Sequence, residues 1–497
     1  MKLKILYIVM GLVITGIESR AQGSIDSTGQ KMVLTLEQVV KMARLYSPDA
    51  MAARHTFISA YWNYRSFRAN YLPSVSLSSD PELTRTISKV TLPDGTDKYV
   101  PQNMLTVDGA VTVKQNVPFT GGSFFVESAI QRMKLFDSKA ISYRTSPIVV
   151  GYTQSLFGYN SLKWDKRIEP VRYREARKAY VESLELVAAD AARKFFALAS
   201  AQRDYEMACF NYANADTLYQ FAKGRYDIGT ITENELLQLE VNCLTESTNR
   251  MDAIIEMDNC RQALCSLLGL DKEVVLEVKV DTDVPHFQVE PGVAFHWFNL
   301  NSPDVDAMQR KLLESRGSVA QARSNAGLKA DLYLQCGLSQ TGTSVSEAYH
   351  SPLDQQQVSV GISLPLLDWG KGKGKVRVAR SRQDLVEVQV EQQKNDLEMN
   401  VRKLVMQFNL QSERVKIAMK TDLTARKRYD VTRKLYLLGK SSVLDLNAST
   451  TEKDRASRSF LSSLSTFWNL YYILRSMTLY DFEQNCEIQE KLEELIK

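Results

Sequence analysis

The stretch PLLDWGKGKGKVRVAR, residues 365–380, sets Gly370, Gly372 and Gly374 between Lys371, Lys373 and Lys375. Glycines supply bare amides and lysines supply charge, so the chemistry this suggests is phosphate binding. A phosphate loop needs GxxxxGK followed by serine or threonine to reach a magnesium ion. Here the ladder runs into Val376 instead. The four histidines, His55, His286, His296 and His350, are scattered and lack ligand spacing, and no nucleophile–base set stands out. The six cysteines (Cys209, Cys243, Cys260, Cys265, Cys336, Cys486) contain no CxxC pair, and most fall at apolar helical positions. There a thiol acts as a small buried hydrophobe, although an exported chain can form disulfides. The sequence therefore predicts no catalysis, no cofactor and no metal.

The ladder makes better sense as a joint between two elements. Pro365 has no N–H for a strand ladder and would end the strand before it. Gly370, Gly372 and Gly374 would then allow a sharp change of direction into a long helix. Lys371, Lys373, Lys375, Arg377 and Arg380 form a basic collar, either a solvated helix start or a contact for anionic headgroups. On the strand side, VSVGISL alternates, with Val358, Val360, Ile362 and Leu364 opposite Ser359, Gly361 and Ser363. Val75 and Leu77, Val111, Val113 and Val117, Ile148, Val150 and Tyr152, and Leu332, Leu334, Cys336 and Leu338 repeat the pattern. One apolar and one small polar face suits a barrel strand between lipid and water, and equally a half-buried soluble sheet.

The remainder is helical. Residues 170–223 carry Ala188, Ala191, Phe195, Leu198 and Tyr205 at coiled-coil spacing, with Pro170 fitting the first turn. Residues 375–436 hold no proline or glycine, and Leu397, Val401, Leu404 and Phe408 step by four, three and four. Such a helix would be about 90 Å long. The chain also repeats. LFGYNSLKW at Leu156 matches LLDWGKGKG at Leu366, and the glycine turn at Gly229 matches that at Gly439. Both offsets are 210 (366 − 156; 439 − 229). YSPDAMAAR at Pro48 matches NSPDVDAMQ at Pro303 with an offset of 255. This divides the chain into a first repeat, 22–285, and a second, 286–497, each with a helical hairpin whose tip is its glycine.

Residues 1–21 read as a cleaved signal peptide. Lys2 and Lys4 precede an apolar run, Ile5 to Ile17, too short to span a bilayer, and Ser19 and Ala21 suit the cleavage site. Net charge is +4, and 4 − 3 + 1 = +2 once Lys2, Lys4, Arg20 and Glu18 are gone. Without a basic footprint, a nucleic-acid partner is excluded.

The joint, together with LTLEQVVKMARLYSPD (34–49), YLPSVSLS (71–78), SLFGYNSLKWDKRIEP (155–170) and the glycine turns, resembles the TolC-type outer-membrane efflux channels from about residue 34 to 483. Ser155 replaces the proline usual there, and the lysine–glycine ladder is unusually rich. The resemblance implies a mainly α fold with a membrane β-barrel. Long antiparallel coiled-coil helices would form a periplasmic α-barrel, and four strands per chain would be pooled in a homotrimer within outer-membrane lipid. It implies a passive exit duct of a tripartite pump, meeting a periplasmic adaptor and, directly or through it, an inner-membrane pump. The cargo is either small compounds or, in an ABC-driven type I system, protein. An exported coiled-coil scaffold is the non-transport alternative. The adaptor-contact tips would be Asp227, Ile228, Gly229, Thr230, Leu438, Gly439 and Lys440. The family's gate links an acid, a tyrosine and an arginine, whose places here hold Glu235, Tyr436 and Ser441. Lys440 stands beside the missing arginine. Asp445 would line the constriction as a threefold carboxylate ring or else act as a plain helix-start acid; Ala448 holds the place of the second lining acid. The extra first-half hairpin, residues 105–129, either joins the barrel or forms a surface flap.

Overall fold

A computed structural model of the protein describes residues 32–91, 93–271, 274–438, 440–490 and 492–495. The signal-peptide reading of residues 1–21 and the glycine at 439 lie outside the described residues. In chain order the elements begin with β1 (Met32–Leu34), α1 (Leu36–Tyr46) and α2 (Pro48–Ala69). Five strands follow: β2 (Ser74–Ser78), β3 (Pro81–Thr91), β4 (Asp97–Val117), β5 (Gly122–Leu135) and β6 (Ile141–Ser155). Next come α3 (Ser161–Asp227), α4 (Glu233–Leu268), β7 (Leu276–Val278), α5 (Pro291–Asn301) and α6 (Pro303–Ala326). The rest is β8 (Lys329–Gly342), α7 (Val345–Ala348), β9 (Leu353–Ser363), α8 (Lys371–Leu437), α9 (Val443–Thr478), β10 (Tyr480–Asp481) and β11 (Cys486–Glu487). The long helices α3 and α8 have 67 residues each and start 210 apart (371 − 161), and α4 and α9 have 36 each and also start 210 apart (443 − 233).

The described chain forms two compact units. The first comprises residues 32–47, 191–282 and 429–462. In it β1 pairs with β7 in parallel, and α1 lies against α4. Thr35 caps α1 with a capping box closed by Gln38, and Gly269, at φ +65°, closes α4. The core of this unit combines small residues along α3, with Ala191, Ala192, Ala201, Ala208, Ala215 and Ala222 buried, and bulky ones, Phe195, Leu198, Leu264 and Leu268. Lys453 is buried in the same unit, its ammonium 4.4 Å from the centroid of the Tyr429 ring and 5.0 Å from that of Phe210. Asn211 donates to Asp454 beside it at 2.7 Å.

The second unit comprises 48–190, 283–428 and 463–495. Its helical core centres on Phe408, Phe467 and Tyr471 with Phe287, ring centroids 5.2–6.5 Å apart. A buried ion cluster lies in this unit. Arg475 Nε donates to Glu185 at 3.0 Å, and its Nη1 donates to Asp481 at 2.6 Å and to the Tyr471 hydroxyl at 3.0 Å.

All the long strands of this unit form one antiparallel sheet in the order β2-β4-β5-β6-β8-β9, with β3 also on β4. β2 and β3 pair with successive stretches of the same edge of β4, so the sheet is six ribbons wide. The family resemblance implied four strands. The difference is the β4–β5 hairpin, which pairs along 14 rungs and separates the β2/β3 ribbon from β6. The two outer ribbons, β2/β3 and β9, each pair on one side only among the described residues.

One helix boundary departs from expectation. Pro170 sits inside α3, nine residues after its start, and not in its first turn. Asn160 begins the helix earlier, its side chain accepting from the Lys163 amide at 2.9 Å. Pro170 then removes one internal hydrogen bond, which a helix of this length absorbs with a local adjustment. All six cysteines are free. No helix among the described residues is long and apolar enough to cross a membrane.

Candidate functional site

The first tip is built by its turn residues. α3 ends at Asp227, and Gly229 takes φ +72°, the left-handed conformation that a β-carbon disfavours. The Gly229 amide donates to Tyr226 O at 2.8 Å and the Thr230 amide to Arg225 O at 2.9 Å, satisfying carbonyls at the helix end. Thr232 then caps α4, accepting from the Glu235 amide at 3.3 Å while its own amide donates to the Glu235 carboxylate at 3.2 Å. The second tip repeats this chemistry. The Lys440 amide donates to Leu435 O at 2.9 Å. Ser442 accepts from the Asp445 amide at 3.1 Å, and its amide and hydroxyl donate to the Asp445 carboxylate at 3.2 and 2.6 Å. Asp227, Ile228, Gly229, Thr230, Leu438 and Lys440 are all exposed.

Of the gate residues expected from the resemblance, Tyr436 is half-buried near Glu235. Burial raises the Tyr436 pKa, the Arg225 charge lowers it and the Glu235 charge adds to the rise. Glu235 also serves its own helix as the cap acid. At the place of the family's arginine, Ser441 donates to Asp445 at 3.4 Å. The cation facing Tyr436 is instead Arg225, from the last turn of α3, whose guanidinium lies 5.8 Å from the centroid of the Phe221 ring. Sequence reasoning missed Arg225. Its counterpart 210 residues on is Leu435, and that break in the repeat was the available signal.

At the joint, β9 ends at Ser363, two residues before Pro365. The change of direction is made by Trp369 at φ +54° and Gly370 at φ +83°. This corrects the expectation for the ladder, because Gly372 and Gly374 are already helical, in the first turn of α8. Asp368 holds that turn. Its carboxylate accepts from the Gly370 amide at 2.9 Å and the Gly372 amide at 2.7 Å. Those amides, that of Gly372 first, hold the Asp368 carboxyl below its usual pKa. The lysine–glycine amides thus bind a carboxylate of the chain itself. A β-carbon on Gly372 would stand 2.9 Å from Asp368 Oδ2 and 3.0 Å from Ala326 Cβ, whereas Gly374 faces open space. Lys371, Lys373, Lys375, Arg377 and Arg380 are exposed.

Two 67-residue helices, two capped tips and one six-ribbon antiparallel sheet make up the frame, and comparisons with known proteins give its family. The family model for outer membrane efflux proteins matches residues 39–270 and 298–461, and the chain belongs to that family. It is an outer-membrane efflux protein and not an enzyme. Among curated proteins, an uncharacterized protein of Haemophilus influenzae is 26% identical over 337 residues, 64% of this chain and 69% of that one. Among solved structures, the Campylobacter jejuni CmeC outer membrane channel aligns with a TM-score of 0.66 at 15% identity, covering 93% of this chain and 88% of that one. The Vibrio cholerae outer membrane protein VceC aligns at 0.64 with 14% identity, covering 91% and 97%.

Proposed function

We propose that three copies of this chain pool their sheets into one outer-membrane barrel and their long helices into one tunnel, the passive exit duct of a tripartite pump for small compounds. The observation that carries this is the sheet: six ribbons with an apolar and a polar face, whose two outer ribbons each pair on one side only among the described residues. Unpaired strand edges are not tolerated in hydrocarbon, so a sheet in lipid must close on another sheet. A further support lies on α4, where Leu237, Val241, Leu244, Met251 and Ile255 are exposed at steps of four, three, seven and four. That is a heptad seam awaiting a helix, and a second copy of the chain supplies one. The equal lengths of α3 and α8, and of α4 and α9, support an internal duplication with its boundary between residues 285 and 286. Within this duct the tip residues Asp227, Ile228, Gly229, Thr230, Leu438, Gly439 and Lys440 meet the adaptor. Glu235, Tyr436 and Ser441 belong to the gate, with Arg225 supplying its cation, and Asp445 rings the constriction. Purification in detergent tests the reading. The expected result is a trimer that gives discrete current steps in planar bilayers, and a monomer that carries no current refutes it.

A further inference from the structure

The β4–β5 hairpin decides how wide such a barrel is. We propose that it is part of the barrel wall, so that three chains close eighteen strands, six from each, where four per chain would give twelve. This rests on the trimeric duct proposed above.

Three observations carry it. First, the hairpin continues the two-faced pattern of its neighbours up to the register shift between Glu127 and Ala129. One set of paired residues runs across the whole sheet as Val75–Val113–Val126–Val150–Cys336–Gln356. Its neighbour on the opposite face runs Ser74–Lys114–Phe125–Gly151–Gln335–Gln357. Successive residues of a strand point to opposite faces, so Val113 and Val126 share the apolar face with Val75 and Val150. Of these, Val75, Val126 and Val150 are exposed, as is Phe124 on the same face. A flap lying over a barrel would have no reason to keep this phase.

Second, the hairpin is interior to the sheet. β5 pairs with β6 from Ser123↔Thr153 to Lys134↔Ile141, with one register shift between Glu127 and Ala129. Removing the hairpin from the wall would break those rungs and leave β6 as a new edge. The strands are also long enough: β4 has 21 residues and β5 has 14, against the 9–11 or so of a tilted spanning strand.

Third, the turn of the hairpin is tied to the strand-to-helix joint. Asn160, at the start of α3, donates to Pro118 O at 3.0 Å and to Phe119 O at 3.4 Å. Gly121 is at φ +80°, and a β-carbon there would stand 2.9 Å from the Asn160 side chain. At the end of β4, the Gln115 side chain donates to Tyr71 O at 2.8 Å and that of Asn116 to Asn70 O at 3.0 Å. Phe119 on this turn is 92% exposed, and at the same end of the sheet Trp369 is 90% exposed. Aromatic side chains girdle membrane barrels at the interface, and Phe119 gives the hairpin its share of that girdle.

Strand number sets barrel girth. At a spacing of about 4.8 Å and a tilt of about 40°, eighteen strands give a backbone diameter of roughly 36 Å against roughly 24 Å for twelve. The open cross-section grows at least twofold, which admits bulkier solutes through the outer mouth.

Nitroxide side chains placed one at a time test this on the trimer in liposomes, in a background with the six native cysteines replaced. The hairpin positions are Val113, Val126, Thr112 and Glu127, and the reference positions on β9 are Val358, Val360, Gln357 and Ser359. The readout is relaxation by oxygen, which partitions into lipid, relative to a water-soluble nickel chelate. The expected result is a ratio several-fold higher at Val113 and Val126 than at Thr112 and Glu127, matching the contrast on β9. Contrast on β9 with uniform nickel exposure along the hairpin makes the hairpin a flap and overturns the inference while leaving the duct intact. No contrast on β9 overturns the barrel itself, and the inference with it.

Discussion

Replacing Arg475 with methionine tests the buried ion cluster of the second unit. The side chains of Glu185 and Asp481 are only 1% and 4% exposed, and Arg475 is the cation bonded to both, at 3.0 and 2.6 Å. Burial alone would lower the Arg475 pKa, but Glu185, Tyr471 and Asp481 outweigh it and hold the guanidinium charged. Burial and the nearby carboxylates raise the Tyr471 pKa, so its hydroxyl stays a donor, to Glu483 at 3.0 Å. Methionine keeps the aliphatic stem of the side chain and removes the guanidinium, so both carboxylates lose the cation bonded to them. Breaking one partner out of a buried pair costs about 3–5 kcal/mol. At about 1.4 kcal/mol per tenfold, that lowers the folded-to-unfolded ratio by two to three orders of magnitude or more. Urea unfolding of the detergent-solubilised protein, followed by tryptophan fluorescence, measures it as a lower midpoint. Adding Glu185→Gln and Asp481→Asn to Arg475→Met should recover most of the loss, since neutral amides need no counter-charge. A loss under about 1 kcal/mol for the single variant, the range of exposed pairs, would refute the claim that this cluster is desolvated.

Four further outcomes are expected. Glu182 has its pKa raised to about 7, by burial first and then by the charge of Asp304, from an ordinary 4.5. The folded state therefore favours its acid form, and this contribution, present below pH 4.5, is lost as pH rises through 7. The gap corresponds to at most about 3 kcal/mol and, with partial solvent contact, about 1–2; Glu182→Gln should flatten the pH dependence of thermal stability between those limits. Tyr436→Phe and Arg225→Gln should each raise the conductance of the closed channel in planar bilayers, and Glu235→Gln should do so while keeping its cap; unchanged currents in all three remove the gate assignment. Asp445→Asn should weaken block by multivalent cations at least severalfold, while equal block would leave Asp445 as a helix cap alone. Gly372→Val should destabilise the joint by roughly 1–3 kcal/mol, because Asp368 and Ala326 must give way, whereas Gly374→Ala should be neutral or stabilising by up to about 1 kcal/mol in a thermal melt.

The long helices were legible because they lack breakers and because their apolar steps hold a single period. Of the seam Leu397, Val401, Leu404 and Phe408, the last three are buried and Leu397 is half-buried; of Ala188, Ala191, Phe195, Leu198 and Tyr205, all but the half-buried Tyr205 are buried. The glycine turn at Gly229 was legible for a different reason, since few other residues tolerate its positive φ. What stayed hidden depended on contacts distant in sequence. Pro170 suggested a helix start, yet the start is fixed by Asn160, which also holds the β4–β5 turn. The glycine ladder looked like a hinge of three residues, yet the bend is made by Trp369 and Gly370, and Gly372 is glycine because Asp368 and Ala326 crowd it. Arg225 was not singled out in the sequence, and only folding brings its charge to bear on Tyr436. The place of the hairpin was undecidable from alternation alone, because alternation fixes which way a residue points but not which strand lies beside it.

The matched lengths of α3 and α8 restrict how this protein can change in size. One residue added to an α-helix turns everything beyond it by about 100°, swinging a buried stripe toward water. An insertion in one 67-residue rod would therefore mispack its neighbours unless it came in whole heptads and was mirrored in the other rod. Growth is far easier in the strand-connecting loops, so relatives of this chain should vary there while their rods stay in step.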